Sequence, residues 1–160
     1  MECAKGCSSE TLKLRLLVVG RGSKELADFE ARFIERLKPF AQCVVIELPE
    51  GRGKQVSQRK QEEAKHIFKQ AEKGFIIFDE RGAMHDSKNW ASYIGRMPAD
   101  AQLDFVIGGA DGLHDEVRAE AAACWSLSRL TLPHQLVRAV VLEQLYRAFT
   151  IIQGHPYHRV

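Results

Sequence analysis

Cysteine is scarce in this 160-residue chain, with four in all, at positions 3, 7, 43 and 124 and no pair of CxxC motifs. That spacing lays out neither a disulfide framework nor a zinc ribbon, and free thiols in a reducing compartment are expected. Long apolar runs are missing too. The stretches 14–19 and 75–78 fall far short of the roughly 20 residues of a bilayer-spanning helix. The first eleven residues carry Glu2, Lys5 and Glu10 without a following apolar region, so no secretory leader is expected and a cytoplasmic protein with no membrane contact is. There is no GxxxxGKS or GxxxxGKT phosphate loop, no GxSxG elbow and no His/Cys cluster of zinc type. These absences exclude the common nucleotide hydrolases, serine hydrolases and zinc enzymes, and no metal is expected. Charge of one sign is also lacking: 23 basic residues face 21 acidic ones, for a net +2. Affinity for nucleic acid would therefore have to come from a local patch.

What is present is an ordinary globular balance, 45% hydrophobic and 28% charged, in a chain long enough to bury one core. Residues 1–11 are expected to form a disordered extension and 12–160 a single domain. Short β-rich runs alternate with longer helical ones. Strands are predicted over 14–19, 44–48, 75–78, 103–107 and 126–130, the third apolar on both faces as buried parallel strands are. Helices are predicted over 25–37, 57–73, 87–97, 115–124 and 135–152. Leu26, Phe29, Phe33, Ile34 and Leu37 form one helical stripe, and Leu136, Val137, Val140, Val141, Leu145, Ala148, Phe149 and Ile152 another. Asp86 or Ser87 can cap the third helix, while Asp79-Glu80-Arg81-Gly82 reads as a turn. Fivefold strand–helix alternation predicts an α/β domain, mainly parallel, with helices on both faces of the sheet.

In such sheets ligands gather at the carboxyl ends of the strands. Gly20-Arg21-Gly22 follows the first strand, but Glu25 stands where a dinucleotide fingerprint needs its third glycine, so the segment reads as a tight turn. Ile107-Gly108-Gly109-Ala110-Asp111-Gly112 either connects elements or lets a flat ligand approach the backbone with no Cβ in the way. Leu127-Ser128-Arg129-Leu130-Thr131-Leu132-Pro133-His134 alternates leucine with small polar groups. It is either a buried strand with a proline stop or a loop whose peptide groups meet an adenine edge between leucines. The tail crowds His155, Tyr157, His158 and Arg159 into six residues. Histidine to move a proton near neutral pH, arginine to hold phosphate and tyrosine to stack make a plausible site set, against a merely solvated tail. Residues 51–73 hold seven basic and three acidic side chains; they form either a solvated helix face or a phosphate-binding patch.

Taken together, Ile107-Gly108-Gly109 with Gly112, Trp125-Ser126-Leu127-Ser128 with Leu130-Thr131-Leu132-Pro133-His134, Leu136-Val137-Arg138, Glu143-Gln144-Leu145-Tyr146-Arg147-Ala148 and the terminal His155-Pro156-Tyr157-His158-Arg159 resemble the bacterial 23S rRNA pseudouridine-N3 methyltransferases. These form the SPOUT-class family called ribosomal large subunit methyltransferase H. The resemblance spans 12–160 in order and spacing. It implies a C-terminal deep trefoil knot, a homodimer, S-adenosylmethionine as cofactor, and a pseudouridine in a 23S rRNA stem-loop of the assembled ribosome as substrate. It further implies cofactor contacts from Phe78, Gly108, Gly109, Leu127, Ser128, Arg129, Leu130, Thr131 and Leu132. For the proton on N3, or the anion it leaves, the candidates are His158 with Arg159, then Tyr157, then His134 and Arg138. Arg52, Lys54, Arg59 and Lys60 are the candidates for rRNA phosphates. Departures from the family are Glu80-Arg81 where proline is common, Ala110-Asp111 in place of proline-glutamate, and the extension carrying Cys3 and Cys7. The competing expectations are a non-catalytic ribosome-binding module and a nucleotide-binding oxidoreductase.

Overall fold

The computed structural model describes residues 11–159; the N-terminal extension, Thr11 excepted, lies outside the described residues, as do Cys3 and Cys7. Strands and helices alternate along the chain: β1 (Leu12–Val19), α1 (Ala27–Leu37), β2 (Ala41–Leu48), α2 (Val56–Gln70), β3 (Ile76–Met84), α3 (Ser87–Gly95), β4 (Gln102–Ile107), α4 (Asp115–Glu120), β5 (Ala123–Ser126) and α5 (His134–Ile152). The five strands form one wholly parallel sheet in the order β2-β1-β4-β3-β5. β1 sits between β2 and β4, pairing Leu12 with Ala41 through Val19 with Leu48 on one side and Lys13 with Gln102 through Val18 with Ile107 on the other.

Successive strand residues point to opposite faces, so each apolar run feeds two cores. Leu14, Leu16, Val18, Phe105 and Ile107 face α1, α3 and α5, which contribute Phe33, Trp90, Ile94, Leu142 and Leu145. Leu17, Val19, Ile77 and Val106 face α2 and α4 across Ala64, Ile67 and Val117. Each buried leucine or isoleucine contributes about 1.5–3 kcal/mol of transfer free energy. On the larger side an aromatic cluster closes the core, with Trp90 5.1 Å from Trp125 and Phe78 5.6 Å from Trp90 between ring centroids. Asp86 caps α3, its carboxylate accepting the Asn89 N–H at 2.7 Å. Cys43 and Cys124 are free, and burial pushes the Cys43 thiol up to about 12.

The structure corrects the sequence reading in four elements. α2 ends at Gln70, where the Arg15 guanidinium takes the Gln70 carbonyl at 2.6 Å. The fourth helix ends at Glu120, because Ala122 donates its N–H to the Phe75 carbonyl at 2.9 Å and draws the chain into the sheet. The fifth strand is therefore Ala123–Ser126, and residues 127–133 form a loop instead of the expected strand. Finally, β3 continues to Met84 through the residues read as a turn.

Candidate functional site

The bulge of β3 and the loops after β4 and β5 meet at the carboxyl edge of the sheet. β3 makes an excursion there. Phe78 and Ala83 both oppose Trp125, so residues 79–82 are extra to the ladder and bulge outward. Gly82 brings the chain back against β5, where a Cβ would stand 2.7 Å from the Cys124 carbonyl oxygen. The bulge is pinned at Asp79, which pairs with Arg118 of α4 at 2.6 Å and accepts the Arg81 N–H at 2.9 Å. Burial pushes the Asp79 carboxyl up, but the bonds from Arg118 and Arg81 outweigh it and hold it below the usual carboxylate range.

After β4, Gly108 lies so close to Leu113 that a Cβ would stand 2.9 Å from its side chain, and Gly112 turns with φ +83°. The loop is fastened from outside: Arg59 donates to both Asp111 oxygens, at 2.7 and 3.2 Å, and to the Gly53 and Lys54 carbonyls at 3.1 Å each. Arg59 holds the Asp111 carboxyl below its ordinary value. Beside it, burial pushes Glu63 up, although Glu63 accepts the Gly51 N–H at 3.0 Å.

The loop after β5 forms the third wall. Ser126 Oγ donates toward the Ser128 carbonyl at 2.8 Å, Leu130 N–H bonds Ser128 Oγ at 3.0 Å, and Thr131 Oγ1 donates to Glu80 at 2.7 Å. Among the described residues, no peptide group of 128–132 takes part in a backbone–backbone hydrogen bond. Leu130 stands 69% exposed. Such a loop offers donors and acceptors to a ligand edge, with leucines against its faces.

The three walls enclose a cleft of about 680 Å³. Of the residues expected at a cofactor, Phe78, Gly108, Gly109, Leu127, Ser128, Leu130, Thr131 and Leu132 line it; Arg129 is exposed and does not. Lys60, Asp79, Asp111 and Arg118 line it as well. His134 lies at one end, shared with a second cleft of about 650 Å³ under the loops after β1 and β2.

The other expected catalytic residues stand elsewhere. Arg138 is 5% exposed, its Nε 2.8 Å from one Glu30 oxygen and its Nη2 bonded to the other at 2.9 Å, and it lines neither cleft. Tyr157 donates to Glu143 at 3.0 Å and packs on Tyr146, centroids 4.8 Å apart, while His158 Nδ1 lies 3.2 Å from Arg147 Nη1. The tail thus lies along α5, and neither it nor the exposed Arg159 reaches the cleft of its own chain. Burial and the bond to Glu143 raise the Tyr157 hydroxyl. Of the expected phosphate ligands, Arg52 lines the second cleft and Lys60 the first, Lys54 is exposed, and Arg59 is committed to Asp111. Sequence reasoning passed over the Asp79–Arg118 and Arg59–Asp111 pairs, the Glu143 hub and the second cleft. Only the last left a visible signal, the Gly20-Arg21-Gly22 segment at a strand end. Among the described residues no group of three or more His, Cys, Asp and Glu is arranged to hold a metal ion, and no helix is long and apolar enough to cross a membrane.

A family profile described as "Predicted SPOUT methyltransferase" matches residues 12–158. The chain is 41% identical to the ribosomal RNA large subunit methyltransferase H of Agrobacterium fabrum, over 93% of this chain and 100% of that protein. It is 40% identical to the protein of the same description from Nitrobacter hamburgensis, over 91% and 99%. Among solved structures, a probable methylase family protein from Haemophilus influenzae superposes with a TM-score of 0.51 at 14% identity, covering 88% of this chain and 66% of that one. A structure described as concerning 2-OH methylation on tRNA gives a TM-score of 0.50 at 16% identity, covering 89% and 98%. These two likenesses concern the fold.

Proposed function

The chain belongs to the SPOUT methyltransferase family, among the ribosomal RNA large subunit methyltransferase H proteins, and from that premise we propose that it methylates N3 of a pseudouridine in a 23S rRNA stem-loop. S-adenosylmethionine is the cofactor, the assembled ribosome in the cytoplasm is the substrate, and the enzyme works as a homodimer. The same reading threads the C-terminal part of the chain as a deep trefoil knot.

The observation that carries the reading is the cleft after β3, β4 and β5. Its volume of about 680 Å³ falls within the usual range for sites that enclose a small molecule. Among the described residues the peptide groups of 128–132 have no backbone partners, as an adenine-reading loop requires. At Gly108 a side chain would collide with Leu113, so only backbone is available at that wall. These features fit an adenosine-bearing ligand, held by Leu127, Leu130 and Leu132 against its faces and by the 128–132 backbone at its edge. When bound, S-adenosylmethionine supplies a methyl group activated by its positive sulfur.

The chain's own residues then have to manage the acceptor. N3–H of pseudouridine is weakly acidic, and N3 becomes a good nucleophile only when that proton is lost or the anion is stabilised. The N3 proton passes to water, while His158, whose Nδ1 accepts from Arg147 and whose hydrogen is therefore on Nε2, stabilises the anion with that N–H. Arg159 holds an adjacent phosphate, and Tyr157, fixed by Glu143, sets the approach of the tail. Since the tail lies away from the cleft of its own chain, it serves the cleft of the partner protomer. Lys54 and Arg52 provide exposed cations for the rRNA backbone.

The test is mass spectrometry of rRNA after purified, unmethylated ribosomes are incubated with the protein and methyl-labelled cofactor. The label is expected on the base of a single pseudouridine, and His158→Ala is expected to lower its rate by about 100-fold or more with cofactor binding intact. Label on a ribose, on another base or nowhere would refute the assignment. A His158→Ala rate near wild type would remove His158 from the mechanism.

A further inference from the structure

The second cleft, about 650 Å³, opens between the loops after β1 and β2 and meets the first at His134 and Gln135. Its floor is glycine. At Gly20, φ is +96°, and a Cβ would stand 2.8 Å from Glu50 Oε1 and 3.1 Å from His134 Nε2. The Glu50 carboxylate and the His134 ring thus flank one point at the junction, which any side chain at position 20 would fill. The two carboxylates of the cleft differ in commitment. Glu47 accepts the Gly22 N–H at 3.3 Å and lies 3.9 Å from Arg138 Nη1. Glu50 is exposed and, among the described residues, enters no hydrogen bond or ion pair. Arg21 and Arg52, both exposed, line the same cleft and provide two cations suited to phosphates.

We propose that this second cleft receives the acceptor nucleotide and that Glu50 is the residue that tells pseudouridine from uridine. The inference rests on the function proposed above. Pseudouridine is joined to its ribose through carbon, so its ring presents two N–H groups, N1 and N3. Uridine is joined through N1 and presents a C–H where pseudouridine has N1–H. A carboxylate accepts only and cannot donate. Placed at that edge, Glu50 gains a charge-assisted hydrogen bond from N1–H of pseudouridine and is left desolvated and unpaired against uridine. With Glu50 on N1–H, N3–H on the other side of the C2 carbonyl remains free for chemistry. Pocket size alone gives no such discrimination, because the two bases have the same shape.

The experiment compares kcat/KM on ribosomes carrying pseudouridine at the target with kcat/KM on ribosomes from cells lacking the corresponding pseudouridine synthase. It uses the wild type, Glu50→Gln and Glu50→Ala, and measures S-adenosylmethionine affinity of each by titration. The expected result is a fall of about tenfold or more in the pseudouridine-to-uridine ratio for Glu50→Ala, the scale of one lost hydrogen bond to a charged group. A smaller fall, more than about twofold, is expected for Glu50→Gln, whose amide oxygen still accepts but carries no charge, with cofactor affinity unchanged in both. A ratio that stays within twofold of wild type overturns the inference, as does an equal loss on both substrates or a loss of cofactor binding. Wild-type protein inactive on both kinds of ribosome overturns the functional reading itself, and the inference with it.

Discussion

Arg138 shows how far a single residue's meaning depends on its surroundings. Sequence position places it one helical turn after His134, within reach of a site at the start of α5. In the folded chain its guanidinium is buried against Glu30, 108 positions away in sequence, and a Cβ on Gly22 would stand 3.0 Å from its central carbon. It is a strut that ties α1 to α5. Removing one partner of a buried ion pair leaves the other charge uncompensated. Glu30→Ala is therefore expected to cost about 3–5 kcal/mol of stability, measured by urea denaturation. A loss below about 1 kcal/mol would show that the pair is dispensable. Periodicity marks Arg138 as part of α5 but carries no information about a partner so distant, whereas Gly108, Gly109 and the leucines of 127–132 were legible because a strand end and its loop are local features.

At the scale of elements, the alternation of strand and helix was readable because buried parallel strands are short, apolar and β-branched, and helices show their stripe. The end of β3 was not readable. Asp79-Glu80-Arg81-Gly82 has the composition of a turn, and it does leave the ladder, yet the strand resumes because Ala83 and Met84 find Trp125 and Ser126 across the sheet. At its other end β5 begins three residues earlier than the apolar pattern of 126–130 implied, because Ala122 bonds Phe75 and Ala123 pairs with Ile76. Gly82 is the hinge of the arrangement. In Gly82→Ala the new methyl must displace β5 backbone, since it would stand 2.7 Å from the Cys124 carbonyl oxygen and the Trp125 carbonyl carbon. The expected cost is about 1–3 kcal/mol, read from thermal or urea unfolding. Unchanged stability would mean that β3 and β5 part without strain.

For the whole molecule, the parallel sheet brings both clefts to one edge and joins them at the start of α5, where His134 and Gln135 belong to both. That edge was predictable from topology alone, since every strand of a parallel sheet ends on the same side. The position of the tail was not, because it depends on Glu143, Tyr146 and Arg147 gathering Tyr157 and His158 along α5. In the division of labour we propose, the first cleft holds the methyl donor, the second receives the base and the tail serves a partner. That division depends first on whether the cleft after β3, β4 and β5 binds the donor. Calorimetric titration of S-adenosylmethionine into the wild type and into Gly108→Val measures this directly. The account predicts saturable binding, one ligand per chain, for the wild type, and loss of at least about tenfold in affinity when the added side chain pushes on Leu113 and reshapes the wall. No heat with the wild type, or equal affinity in the folded variant, would contradict it.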